Sequence, residues 1–275
     1  MQLQGKTVLV TGATGGIGQS IATALAQAGA CVLLTGRDPQ QLEFLRIMLP
    51  PVAVSHLAFV ANLREGKERE ALAQYCQKKQ VDVLINSAGI GEFNLLESSD
   101  SERITDLLDI NLQVPIQLTR LLLPHLRSRP AAAIVNIGSA LGSIGYPAYS
   151  VYGASKFGLR GFSEALRREL SDTPVRVLHL APRATRTPLN KAPVLALNAA
   201  LGVAMDAPEV VAKMLLECVE RERWGCRVIG WPERLYAWLN GVWPGLTDSA
   251  VAKQLAQIKR FAQADTAADE TAANS

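Results

Sequence analysis

The sequence predicts a doubly wound α/β sheet of about seven parallel strands flanked by helices, with a helical extension at its C-terminal end. Three observations carry that prediction. Short β-branched runs alternate with longer segments of helical periodicity through most of the 275 residues. Several runs, such as Thr-Val-Leu-Val-Thr at 7–11, are apolar throughout instead of alternating, the mark of strands covered on both faces. The chain is 48% hydrophobic and 19% charged, ample for one large core, and no linker divides it.

In chain order, strands are expected at 7–11, 31–35, 55–60, 81–86, 132–137, 175–180 and 227–229. Helical patterns lie between them at 17–28, 40–49, 67–79, 101–127, 151–171 and 208–223. The first helix opens directly from a Gly-rich turn. The second follows Asp38-Pro39, a capping carboxylate and a first-turn proline. The third, with its charge run 64–79, reads as a solvated face. Beyond the last strand, Trp231 to Leu246 holds three of the four Trp. Leu235, Trp238, Leu239, Val242 and Trp243 form an apolar stripe there, between Pro232 and Pro244-Gly245. A second amphipathic helix is expected at about 249–262, with Lys253, Lys259 and Arg260. Residues 263–275 are Ala-rich and polar, a frayed tail.

Composition excludes several classes. Lys and Arg number 28 against 25 Asp and Glu, and a net charge of +3 is too small for a nucleic-acid binder. The four cysteines are scattered without metal-ligand spacing, so no metal site and no disulfide framework is expected. His56, His125 and His179 share no motif with a carboxylate or Cys. The N-terminus shows no signal-peptide pattern, and the longest apolar stretch, 194–205, is too short to span a bilayer. A cytoplasmic protein is expected, with peripheral contact at a membrane surface as one use of the Trp-rich end. The other use is packing over a pocket or against a second subunit.

In such sheets ligands bind beyond the carboxyl ends of the strands. After the first strand comes Thr11-Gly12-Ala13-Thr14-Gly15-Gly16-Ile17-Gly18, where small residues let a phosphate approach backbone at a helix N-terminus. After the second comes Thr35-Gly36-Arg37-Asp38. Gly36 leaves empty the place where an NAD-selective site holds a carboxylate, and Arg37 offers a guanidinium fork for a 2′-phosphate. This favours NADP(H). Asp38 is the competing signal, and its place before Pro39 makes it a helix cap. Tyr152 and Lys156, four apart, share a helical face, and Ser139 ends a buried strand upstream. A nearby ammonium is expected to lower the phenol pKa, so that Tyr152 exchanges a proton while Ser139 bonds a carbonyl oxygen.

These motifs together resemble the short-chain dehydrogenase/reductase family over roughly residues 5–230. Thr11–Gly18 is similar to the family's cofactor turn, and Asn86-Ser87-Ala88-Gly89 to its Asn-Asn-Ala-Gly element. Asn111, Ser139, Tyr152 and Lys156 follow its catalytic tetrad in order and spacing. Pro182 to Thr187, including Thr185, resembles the segment that holds the nicotinamide carboxamide. The resemblance implies a Rossmann-like catalytic domain over 1–230, with 231–262 packed on or near the active site. It implies that Lys156 binds the nicotinamide ribose, that Asn111 holds a water in a proton relay, and that Asn62 and Leu63 lie against the adenine. Asn62 stands where the family usually has Asp. Arg183 replaces a Gly, and it could meet an acidic substrate group, the cofactor phosphates or solvent.

The expected activity is NADP(H)-dependent interconversion of a carbonyl and a secondary alcohol on an apolar, lipid-like small molecule, in a homodimer or homotetramer. The sparse charge of 189–205 suggests the apolar ligand. Two alternatives stand beside it: a 3-oxoacyl-thioester reductase of fatty-acid or polyketide synthesis, and a protein that binds NADP(H) without chemistry.

Overall fold

A computed structural model describes residues 1–263. The strands are β1 (Thr7–Thr11), β2 (Cys31–Gly36), β3 (Leu57–Val60), β4 (Val83–Asn86), β5 (Ala132–Ile137), β6 (Val175–Ala181) and β7 (Gly225–Val228). They form one parallel sheet in the order β3-β2-β1-β4-β5-β6-β7. The order reverses between β1 and β4, so a crevice opens beyond their carboxyl ends, as the sequence predicts.

The helices are α1 (Gly16–Gln27), α2 (Pro39–Met48), α3 (Gly66–Lys78), α4 (Ser101–Leu108), α5 (Val114–Arg127), α6 (Ser150–Glu169), α7 (Ala192–Ala200), α8 (Pro208–Glu220), α9 (Glu233–Val242) and α10 (Pro244–Ala252). A last one, α11, covers 255–263. Strand side chains alternate between two cores because both sheet faces are covered. Val8 and Val10 pack towards Ile21 and Leu25 of α1 and Leu215 of α8, whereas Leu9 and Leu84 pack towards Leu72, Leu118 and Leu166. At the amino edge of the sheet the buried Asp82 carboxylate accepts from Thr7 N at 3.1 Å and pairs with Lys6 at 3.2 Å and Arg129 at 3.0 Å.

Two predicted helices differ from the structure. The pattern at 101–127 is interrupted by a π-helical turn at Asp109–Gln113. Pro115 is the physical reason: it has no amide for the residue-111 carbonyl and its ring crowds that carbonyl. The helix expected at 249–262 is instead two, α10 and α11, parted at 253–254. The expected tail lies, from 264 on, outside the described residues. A third, smaller core joins Phe93, Ala148, Val194 and Leu197 to Ile258 and Ala262 of α11, so the C-terminal helices lean on α7 at the carboxyl end of the sheet. Among the described residues no helix is long and apolar enough to cross a membrane.

Candidate active site

The Gly-rich turn is fixed by contacts that exclude side chains. Gly12 takes φ +61°, and a Cβ there would lie 2.6 Å from Ala88 Cα. A Cβ on Gly18 would overlap the Gly12 carbonyl. Thr11 Oγ1 accepts from Ser87 N at 3.0 Å and Ala88 N at 3.1 Å, which ties this turn to the Asn86–Gly89 element. Gly15 opens α1 without a side-chain cap, so the first-turn amides and dipole face the crevice. Gly16 touches the 182–187 segment, since a Cβ there would lie 2.9 Å from Thr187 Cγ2. The floor is therefore a backbone cradle into which a dinucleotide pyrophosphate fits.

At the end of β2, Arg37 is exposed, and Asp38 caps α2 by accepting from Gln40 N at 2.9 Å and Gln41 N at 3.1 Å. Thr14 Oγ1 lies 3.6 Å from where a Gly36 Cβ would stand, which puts the first turn beside this strand end. Asn62 Oδ1 accepts from Arg64 N at 3.3 Å, and Leu63 packs on the core below.

Ser139, Tyr152 and Lys156 come together beyond β5. Ser139 Oγ accepts from Leu141 N at 3.2 Å, which holds the hydroxyl towards Tyr152. Lys156 is buried, and its ammonium donates to Ile137 O at 3.2 Å and stands 5.7 Å from the Tyr152 ring centre. Burial pushes the Lys156 pKa down to about 8. Burial also raises the Tyr152 phenol above its ordinary value, and the Ser139 hydrogen bond opposes that rise. Desolvation therefore dominates at the Tyr152 phenol, with the Lys156 ammonium 5.7 Å from its ring.

Asn111 is buried on the π-helical turn, and its side chain makes three hydrogen bonds. Its Oδ1 accepts from Ile90 N at 2.9 Å, and its Nδ2 donates to Ile90 O at 2.9 Å and Ser155 Oγ at 3.2 Å. The side chain clamps the β4 loop to α6. Arg183 lines the cleft beside Pro182 and is held by carboxylates. It forms a bidentate pair with Asp206 at 2.6 and 2.8 Å, and its third nitrogen stands 3.7 Å from Glu233 of α9. Pro182 lines the cleft, and Thr185 Oγ1 donates to Arg183 O at 2.9 Å.

Above this floor lies a cleft of about 1060 Å³. Phe93, Val194 and Leu197 line one wall, and Tyr236, Leu239 and Leu246 of the C-terminal helices close the top. Asp206, Glu92 and Phe93, which line or support the cleft, carry no signal in the sequence, since each stands outside any motif.

A family model described as short chain dehydrogenase matches residues 6–196. The chain belongs to the short-chain dehydrogenase family. It is 34% identical to the oxidoreductase DltE of Bacillus subtilis, over 70% of this chain and 76% of that protein. It is 33% identical to the 3-oxoacyl-acyl-carrier-protein reductase FabG of Pseudomonas aeruginosa, over 66% and 74%. A short-chain dehydrogenase from Sphingobium yanoikuyae, solved with NADPH, superposes with a TM-score of 0.75 at 26% identity, over 88% and 95%. One from Burkholderia phymatum, solved with NAD, gives 0.80 at 21% identity over 90% and 96%, a likeness of fold. Membership makes this chain an oxidoreductase of a family that binds a nicotinamide cofactor and acts on small molecules.

Proposed function

We propose that this short-chain dehydrogenase uses NADP(H) to interconvert a carbonyl and a secondary alcohol on an apolar, lipid-like molecule, with Tyr152 as acid and base. The observation that carries the reading is the convergence of Ser139, Tyr152 and Lys156 beneath a cleft of about 1060 Å³ walled by apolar side chains. The glycine cradle at 12–18 would hold the pyrophosphate, with Thr14 and Ile17 beside it. Arg37 would hold the 2′-phosphate. Asn62 and Leu63 would lie against the adenine, and Asn86, Ala88, Gly89, Pro182, Thr185 and Thr187 would frame the nicotinamide end. When bound, the nicotinamide supplies or takes the hydride.

The chain's own groups do the rest. Ser139 donates to the carbonyl oxygen and fixes the reacting face. Tyr152, kept protonated by burial, gives that oxygen its proton in reduction. Lys156, mostly charged at neutral pH with a pKa of about 8, stabilises the phenolate left behind. Asn111 keeps the β4 loop and α6 in register and would hold a water of the proton relay. The enzyme works in the cytoplasm, where reduced nicotinamide is replenished, in contact with a membrane surface. A dimer or tetramer is supported by Leu108 of α4 and Phe157 of α6, which are exposed apolar residues on neighbouring helices.

A second reading, reduction of 3-oxoacyl thioesters, is favoured by the likeness to FabG. The helices that cap the cleft weigh for a free apolar substrate, since a carrier protein must deliver its arm past them. Parallel assays of NADPH oxidation with long-chain ketones and with acyl-carrier thioesters separate the two. In the same assays NADPH should outperform NADH at least about tenfold, because charge-assisted bonds to a 2′-phosphate are each worth roughly 1.5–3 kcal/mol. Gly36→Asp should erase that preference, and a Cβ at 36 meets only ordinary contacts at 3.6 Å. Equal use of both cofactors by the wild type would refute the role given to Arg37.

A further inference from the structure

The C-terminal helix α9 has two apolar sides. The inner one lies on the protein: Tyr236 and Leu239 line the cleft, and Asn240 donates to Ser143 O at 3.0 Å. The outer one faces water. Trp231, Leu235, Trp238 and Val242, spaced four, three and four apart, are exposed by 72%, 40%, 63% and 65%. Trp243 and Leu246 extend this side at 65% and 50%. Seven large apolar residues crowd this short segment when Tyr236 is included, and none of α9 or α10 is buried. Scattered apolar residues are ordinary on a surface, but a contiguous patch of this kind marks an interaction site.

We infer that this outer face is a docking surface for an anionic lipid bilayer, placed so that the cleft loads its apolar substrate from the membrane. The inference rests on reading the cleft as an apolar-substrate site. Three observations select lipid over a protein partner. Each indole has an apolar body and one N–H donor, the shape that settles at headgroup depth, where a dry protein interface would have to find each donor a partner. The C-terminal helical segment 231–263 carries four Lys and Arg against two Asp and Glu, whereas the chain as a whole is only +3. That local excess complements acidic headgroups, to which each basic residue near the surface adds about 1 kcal/mol. It opposes a second copy, because a twofold contact through this face would bring the same cations, including exposed Arg234, against one another. Finally, the patch is continuous with the cleft mouth: Tyr236 and Leu246 are both exposed and cleft-lining. A molecule leaving the acyl boundary would pass over apolar side chains into the cleft.

The experiment is flotation of the full chain with phosphatidylcholine vesicles and with vesicles that also contain phosphatidylglycerol. Tryptophan emission and oligomeric state are recorded in parallel. Binding to the anionic vesicles with a blue shift of emission is expected, weakened by salt. The triple variant Trp231→Ser, Trp238→Ser, Trp243→Ser should lose at least about tenfold in partition while keeping its oligomeric state. These indoles do not line the cleft, so NADPH oxidation with a water-soluble ketone in the absence of vesicles should be unchanged. Failure of the wild type to float with either vesicle, or equal flotation of the triple variant, would overturn the inference. So would a dimer that dissociates in the triple variant, which would make a second copy the occupant. Turnover lost with docking intact would count instead against the catalytic reading.

Discussion

On the floor of the cleft a methyl group on Gly18 has no room, Thr11 spends its hydroxyl oxygen on two backbone amides, and Lys156 is buried against a carbonyl. Over its mouth α9 and α10 bury no residue and present indoles to water. Floor and cover are stabilised differently. The floor is held by short-range sterics and by hydrogen bonds to backbone inside a packed sheet. The cover is held by one ion-pair cluster, Arg183 with Asp206 and Glu233, and by the small core around Phe93 and Ile258. The difference teaches where tolerance lies: a change of one atom at the floor should abolish function, whereas the cover should yield by degrees and with the size of the substrate.

The largest expected effect is on the floor. Tyr152→Phe keeps the ring and removes only the hydroxyl that moves the proton. Turnover should fall by about 10²–10⁴, the usual worth of general acid–base help, while NADPH titration by fluorescence shows binding retained. Turnover within a few-fold of wild type would transfer the proton role elsewhere. Next in size is Gly18→Ala. Its Cβ overlaps the Gly12 carbonyl, so the turn must shift, at a cost of about 1–3 kcal/mol in urea-derived stability and with loss of tight cofactor binding. Normal NADPH affinity in this variant would show the cradle to be looser than its contacts imply.

The sequence made the floor legible because its constraints are local. A run apolar on both faces can only be an interior strand, and glycines at 12, 16 and 18 before a helix leave few alternatives. The π-helical turn around Asn111 was hidden, although Pro115 held the clue. Hydrophobic periodicity runs straight through 101–127 and does not register a single missing amide. Arg183 was legible as an oddity and not as a partner of Asp206, because the bond joins residues 23 positions apart. The apolar stripe of α9 was likewise visible, but not its division. Of its five members only Leu239 turns to the cleft by itself, while Leu235, Trp238, Val242 and Trp243 stay exposed. Periodicity reports an apolar face and is silent on what covers it.

A smaller effect tests the cover. Leu239→Ala removes an apolar wall of the cleft without touching the floor. The KM for long-chain ketones should rise by up to about tenfold, with kcat/KM for small ketones unchanged. Deletion of 231–275 should produce the same pattern more strongly. A uniform loss across substrate sizes would mean that the cover supports the floor instead of the ligand.

The smallest effect comes from a floor residue that the reaction does not use. His179 on β6 pairs in register with Asn136, is 1% exposed, and packs so tightly on Gly138 that no Cβ fits there. Its Nε2 has no hydrogen-bond partner among the described residues. Burial first, then the positive charges of Lys156 and Arg160, with Glu164 opposing, push its pKa down to about 4 from an ordinary value of 6.5. The native imidazole is therefore neutral while the unfolded chain takes up a proton below 6.5. Unfolded molecules bind more protons throughout the window from 6.5 down to about 4, so stability falls as the pH falls through it and levels off below. The slope is at most about 1.4 kcal/mol per pH unit, and roughly 1 kcal/mol should be lost over the first unit below 6.5. Urea midpoints taken across that window measure the loss. His179→Leu removes the titrating ring at similar volume and should flatten the slope, whatever it does to stability at neutral pH. An unchanged slope in that variant would place the acid sensitivity in other groups and leave the floor rigid for reasons of packing alone.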